Sequence, residues 1–269
     1  MTQASASTAA APWPGERAAT SSKALWAHGF TLACLLAWWG ASLVLPPYLI
    51  AGPVDVVVRA AQFFTNKFDF MNLMVSLFHV VSAVVLACTI GFALALMAYY
   101  VPAARLMIRH RWYPFFNSFS GIGWAIIAML WFGPSHVTVI FAMTTVMVPF
   151  VFINVTEGLL ALDAELLEMS RSFTRRSWRS FLHIVFPSLL PFLFAALRIC
   201  AGVAWKSTLL AELFGTNQGL GFMVNQARLA YDCKTIMAVI LLIIAVVYIT
   251  DRLIFSPIQK RLARHYENA

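Results

Sequence analysis

Charge is scarce in this sequence. Only 11% of its 269 residues are Asp, Glu, Lys or Arg, and 61% are hydrophobic. Soluble domains carry roughly 25% charged and 45–50% apolar residues, so a soluble fold with a greasy core is excluded. Mean hydropathy of +0.79 points to a polytopic, all-α membrane protein. Paired cysteines are missing too. Cys34, Cys88 and Cys200 sit in apolar runs and Cys233 on a short loop, with no CxxC or Cys/His spacing, so neither a disulfide framework nor a metal site is indicated. No G-x4-G-K-[ST] run occurs; "GTNQGLG" at 215–221 has the glycines but no Lys-Ser/Thr, so the chain cradles no nucleotide phosphate. Nor do His, Asp and Ser cluster at one membrane depth, as a membrane enzyme would require. His79, His110 and His183 are scattered and read as packed or interfacial histidines.

What is present is a series of apolar runs. A spanning helix needs about 20 apolar residues, and six segments qualify, near 25–45, 71–100, 113–132, 136–158, 187–212 and 235–256. Residues 1–24 are Ala/Ser/Thr/Pro-rich and predict a disordered tail. The apolar segment after them is too long and too late for a cleavable signal, so it reads as an uncleaved first span. "GPVDVVVRAAQFF" after Pro46-Pro47 predicts a short amphipathic helix, and "FGPSH" between spans three and four a tight hairpin.

The net charge of +8 fits loops obeying the positive-inside bias better than nucleic-acid binding. Arg17 and Lys23, Arg105, Arg109 and Arg111, Arg171, Arg175, Arg176 and Arg179, and Arg252, Lys260, Arg261 and Arg264 fall on one side. The opposite loops hold only Arg59, Lys67, Arg228 and Lys234, partly offset by Asp55, Asp69 and Asp232. Both termini are therefore expected in the cytoplasm.

One cytoplasmic insert stands out. "LEMSRSFTRRSWRSFLHIVFPSLLP", residues 167–191, follows Asp163 as a plausible N-cap and sets Leu166, Leu167, Ser170, Phe173 and Trp178 against Arg171, Arg175, Arg176 and Arg179. By physics alone, such an amphipathic helix suits anionic lipid headgroups and a soluble partner equally well.

The insert resembles the cytoplasmic EAA loop of binding-protein-dependent ABC importer permeases, E-A-A-x3-G-x9-I-x-L-P. Glu168, Ile184 and Pro187 match it, while Met169, Ser170, Thr174 and Phe186 depart from it. "MLWFG" at 129–133, "LRICAGVAW" at 197–205 and "AELFGTNQGLGF" at 211–222 extend the resemblance to the nitrate/sulfonate/taurine/bicarbonate branch, over roughly 45–265. The resemblance implies a type I importer permease fold, with residues 25–265 as one transmembrane domain and the coupling loop at about 160–186. It implies two permease copies, two cytoplasmic ABC ATPase subunits that hold the ATP and Mg, and a periplasmic binding protein. It also implies a multi-pass protein of the bacterial inner membrane that binds no cofactor itself. Glu168, Met169, Ser170, Arg171, Thr174 and Arg175 would then contact the ATPase. An ion-gradient-coupled secondary transporter is the alternative. It requires paired intramembrane carboxylates and inverted repeats, whereas only Glu157 and Glu212 qualify and no repeat is visible.

Charges inside a span are costly and mark pathways or ion pairs. Arg198 and Lys206 lie about 80° apart in helical projection and can share a face. They could line the path of an anion, or pair structurally, Arg198 with headgroups or Glu157 and Lys206 with Glu212. In span three, Asn117, Ser120 and Trp124 offer hydrogen bonds and an aromatic wall if Ser118, Ser120, Gly121 and Gly123 break the helix; a helix packed through small residues is the competing reading. Glu212, Asn217, Gln218 and Gly219, in the loop before span six, suit an outer gate or a binding-protein contact.

Overall fold

Proline and glycine punctuate described residues that are otherwise helical almost throughout. The computed structural model describes residues 14–46, 48–101, 106–162 and 181–259. Among them the helices are α1 (Pro14–Val44), α2 (Pro53–Thr65), α3 (Lys67–Tyr100), α4 (Tyr113–Ser118), α5 (Gly121–Phe132), α6 (His136–Leu160), α7 (Phe186–Gly215), α8 (Leu220–Leu229) and α9 (Cys233–Thr250). Single π turns flank three of them: Ile108–Trp112 before α4, Phe181–Val185 before α7 and Asp251–Phe255 after α9.

The boundaries follow local chemistry. Pro14 and Pro53 stand in first turns, where a missing N–H costs nothing. α1 thus starts inside the stretch expected to be an irregular tail. Asn66 caps α3 by accepting from the Phe68 amide, Ser135 caps α6 by accepting from Thr138, and Asp232 caps α9 by accepting from Thr235. Gly133, at φ 66°, ends α5 in a left-handed conformation that favours glycine, so Gly133-Pro134-Ser135 makes the tight hairpin.

Among the described residues, four helical stretches are long and apolar enough to cross a membrane: Lys67–Tyr100, His136–Leu160, Phe186–Gly215 and Cys233–Gln259. The first expected span lies in α1, which runs on to Val44, and the third segment is divided at Phe119–Ser120 into α4 and α5. Ser120 is extended (ψ 153°) and caps α5 through a hydrogen bond from the Gly123 amide.

The core lies where α6 packs against α3, α5 and α7, and many of its contacts are made by small side chains: Ala83, Ala87, Ala95, Ala125, Ala128, Ala142, Ala196 and Ala204 are all buried. Between spans, apolar burial supplies little drive, so close backbone approach and dispersion do the work. Gly91 shows this, since a Cβ there would lie 2.6 Å from Val151 Cβ. Among the described residues α1 packs mainly on α2 and donates from Trp38 Nε1 to Ala51 O at 3.1 Å, while its Phe30, Leu32, Leu36, Trp39 and Leu43 are exposed.

Candidate functional site

Polar side chains gather at the end of the bundle where the α5–α6 and α7–α8 turns meet. In α3, Asn72, Ser76 and His79 are spaced four and three residues apart and share one face. In α7, Glu212 stands in the last turn and is fully buried. Ser76 Oγ donates to Glu212 Oε2 at 2.8 Å, the Gly221 amide donates to the same oxygen at 2.8 Å, and His79 Nδ1 lies 2.7 Å from Oε1. The Gly219 amide donates to Asn72 Oδ1 and the Leu220 amide to Ser76 Oγ, both at 2.7 Å. The 216–221 turn is thus stitched to α3 through Asn72 and Ser76, and Ser76 also holds the carboxylate. Gly219 is required there: its φ is 104°, and a Cβ would meet the Glu212 carboxyl carbon at 2.5 Å.

The network continues outward. His79 Nε2 lies 2.8 Å from Nδ1 of His136, an exposed residue in the first turn of α6. The Ser135 amide donates to Gly215 O at 2.9 Å and joins the hairpin to the end of α7.

A second polar group borders this end. Arg59 of α2 donates to Asp69 (2.6 Å) and to Thr235 Oγ1 (3.1 Å), with its guanidinium 4.9 Å from the Phe63 ring centroid.

The individually nominated residues are placed as follows. Asn217 and Gln218 are exposed beside the buried Gly219 and Glu212. Trp124 is 6% exposed, stacks on Phe116 at 5.4 Å and touches Phe115 and Phe119, and its Nε1 has no hydrogen-bond partner. Asn117 and Ser120 are exposed at the helix break. Arg198 pairs with neither Glu157 nor open space: it forms a fork with Asp251 (2.9 and 3.1 Å) and donates to Gln259. Lys206 is exposed, and among the described residues no carboxylate lies within ion-pair distance of it. Its supposed partner, Glu212, is occupied by Ser76, His79 and Gly221. Glu168, Met169, Ser170, Arg171, Thr174 and Arg175 lie outside the described residues.

Sequence reasoning missed the convergence on Glu212. The signal was available as a polar stripe, Asn72–Ser76–His79, in an otherwise apolar span, but its partners are 133 or more residues away.

Long apolar helices with polar groups buried between them mark an integral membrane protein. The chain belongs to the family of binding-protein-dependent transport system inner membrane components, whose model matches residues 30–267. A probable ABC transporter permease protein of Brucella abortus is 26% identical over 82% of this chain and 88% of its own. A putative aliphatic sulfonates transport permease of Bacillus subtilis is 24% identical over 84% of this chain and 83% of its own. A bicarbonate transport system permease of Synechococcus elongatus is 24% identical over 79% and 72%. The chain is accordingly the integral-membrane permease subunit of an ABC transporter, a transport component and not an enzyme. These relatives support ATP-driven transport and lend nothing to coupling with an ion gradient.

Proposed function

We propose that two copies of this permease form the pathway of an importer for a small organic or inorganic anion of the sulfonate or bicarbonate kind. The observation that carries the anion assignment is the exposed, unpaired Lys206 in a membrane helix. A cation in that setting is expensive, and a lining position that meets a passing anion accounts for its presence. The names of the sulfonate and bicarbonate relatives support the same substrate class. Asn117, Ser120 and Trp124 contribute hydrogen bonds and an aromatic wall at the break between α4 and α5. Arg198 shares its charge with Asp251 and plays the smaller part.

In this reading six segments span the bacterial inner membrane with both termini cytoplasmic. Residues 160–186 then act as the coupling helix, with Glu168, Met169, Ser170, Arg171, Thr174 and Arg175 against one of two ATPase subunits. ATP and Mg are held by those partners. The Glu212 end faces the periplasm, where Asn217 and Gln218 meet the binding protein. ATP-driven closure of the ATPases shifts the permease between inward- and outward-facing states by binding one better than the other.

Lys206→Met tests the pathway. It removes the charge and keeps the length, so permease abundance should hold while anion uptake by the reconstituted transporter falls about tenfold, the effect of losing roughly 1.4 kcal/mol. Normal uptake by a well-expressed Lys206→Met permease would refute the assignment.

A further inference from the structure

Beside the Glu212 network, Arg59, Asp69, Gln226 and Thr235 line an open cleft of about 450 Å³ from α2, α3, α8 and α9. Its floor is charged. Arg59 donates from Nη1 to Asp69 and from Nε to Thr235 Oγ1, and among the described residues its Nη2 makes no hydrogen bond. Thr235 Oγ1 in turn donates to Asp232 Oδ2 at 2.6 Å, so one hydroxyl separates the guanidinium from the Asp232 carboxylate. Asp232 also accepts from the Thr235 amide, yet among the described residues no cation lies within ion-pair distance of it. With Asp69 neutralising Arg59, the floor keeps one negative charge beside a guanidinium that still has N–H groups to donate.

The surroundings of the cleft are apolar. Phe68, on its rim, is 62% exposed, and Leu229 and Tyr231, adjoining the lining residues Ala230 and Asp232, are 64% and 77% exposed. The free face of α2 adds Val54, Val57 and Phe64. Protein–protein interfaces have the reverse order, an apolar centre inside a polar rim. A polar floor inside an apolar rim matches a lipid headgroup with its chains alongside. The depth agrees. Asp69 stands in the first turn of α3 and Thr235 in that of α9, and both helices are long and apolar. With 34 residues α3 is about 50 Å long, so its ends pass beyond a hydrocarbon core of about 30 Å into the headgroup layer. An amphipathic helix such as α2 suits the same layer.

We propose that this cleft binds a zwitterionic phospholipid of the adjoining leaflet whose headgroup carries a primary ammonium. The phosphate accepts from Arg59 Nη2 and the ammonium donates to Asp232, two groups joined by a short ethylene link and met by two charges one hydroxyl apart. A quaternary ammonium has no N–H to donate, so the site favours phosphatidylethanolamine over phosphatidylcholine. The bound headgroup ties four helices together, among them α8, whose start is held by Glu212.

The site would serve in either leaflet, so its test does not turn on the orientation proposed above. The complete transporter is reconstituted in bilayers of equimolar phosphatidylethanolamine and phosphatidylcholine and re-extracted in mild detergent. The phospholipids retained by it are then counted by mass spectrometry. Wild type should retain phosphatidylethanolamine about threefold in excess of the bulk ratio, the scale of one partly exposed charged contact. Asp232→Asn keeps an acceptor for the α9 cap but loses the charge, and should retain the two lipids near the bulk ratio. No excess in wild type, or the same excess in Asp232→Asn, overturns the proposal. Should Asp232→Asn fail to accumulate, Ala230→Trp, at an exposed lining position, fills the cleft and should abolish the excess; an unchanged excess there overturns it equally. Lipid retention that ignores these substitutions while binding-protein affinity falls would give the cleft to the binding protein and overturn the lipid assignment.

Discussion

Glu212 and Lys206 lie six residues apart on α7 and have opposite surroundings. The glutamate is fully buried and holds three hydrogen-bonding groups from α3 and α8, while the lysine is exposed and has no carboxylate beside it. Six residues rotate a helix by about 600°, which leaves the two side chains about 120° apart and about 9 Å along the axis. They cannot neutralise one another without distorting α7. One helix thus presents a locking face to its own bundle and a charged face outward, and the two faces should respond differently to mutation.

The largest effect is expected from Glu212→Ala. It leaves His79, Ser76 and the Gly221 amide without their acceptor, and should destabilise the permease by about 3 kcal/mol, in line with orphaning buried hydrogen-bonding groups. The measurement is the thermal midpoint of the purified protein, which falls by several degrees, together with a drop in yield. A midpoint equal to wild type would show that the cluster holds nothing together. Gly219→Ala comes next, because it places a side chain at φ 104° against the carboxylate. It should cost about 2 kcal/mol, visible in the same melting curve, and Ser120→Ala, at an exposed cap, serves as a comparison of about 1 kcal/mol or less.

Arg198→Met should do least to stability. Its fork with Asp251 is 40% and 46% exposed at the two side chains, and such pairs contribute about 1 kcal/mol or less. A loss of anion uptake in Arg198→Met as large as in Lys206→Met would move the charged lining to that end of α7 and weaken the contrast drawn between the two faces.

The same contrast shows what could be read from the chain before folding. Five of the six apolar segments lie in long helices, because apolar length and composition are local properties of the chain. The break in the third segment was signalled by Ser120 and its neighbouring glycines, and it falls at Phe119–Ser120. The hairpin at Gly133–Ser135 was equally visible, since glycine, proline and serine carry local turn chemistry.

Pairing between spans was not visible. Lys206–Glu212 and Arg198–Glu157 were the structural pairings that sequence offered beside the pathway reading, whereas Glu212 meets Ser76 and His79, and Arg198 meets Asp251. Long-range partners depend on how helices rotate and cross, and periodicity within one helix does not fix that. His136 carried no local signal at all, since it is a single polar residue at a helix start.

The account's central claim is that the exposed face of α7 bearing Lys206 borders an aqueous anion pathway. The direct test replaces Cys34, Cys88, Cys200 and Cys233 with serine or alanine, then introduces Lys206→Cys and exposes the assembled transporter to a membrane-impermeant, negatively charged thiol reagent. A pathway position is predicted to react, faster during ATP-driven turnover than at rest, and to be protected by transported anion. A cysteine at 206 that stays unlabelled by this reagent in both conditions, yet reacts with a lipid-soluble maleimide, would place Lys206 against lipid and contradict the claim.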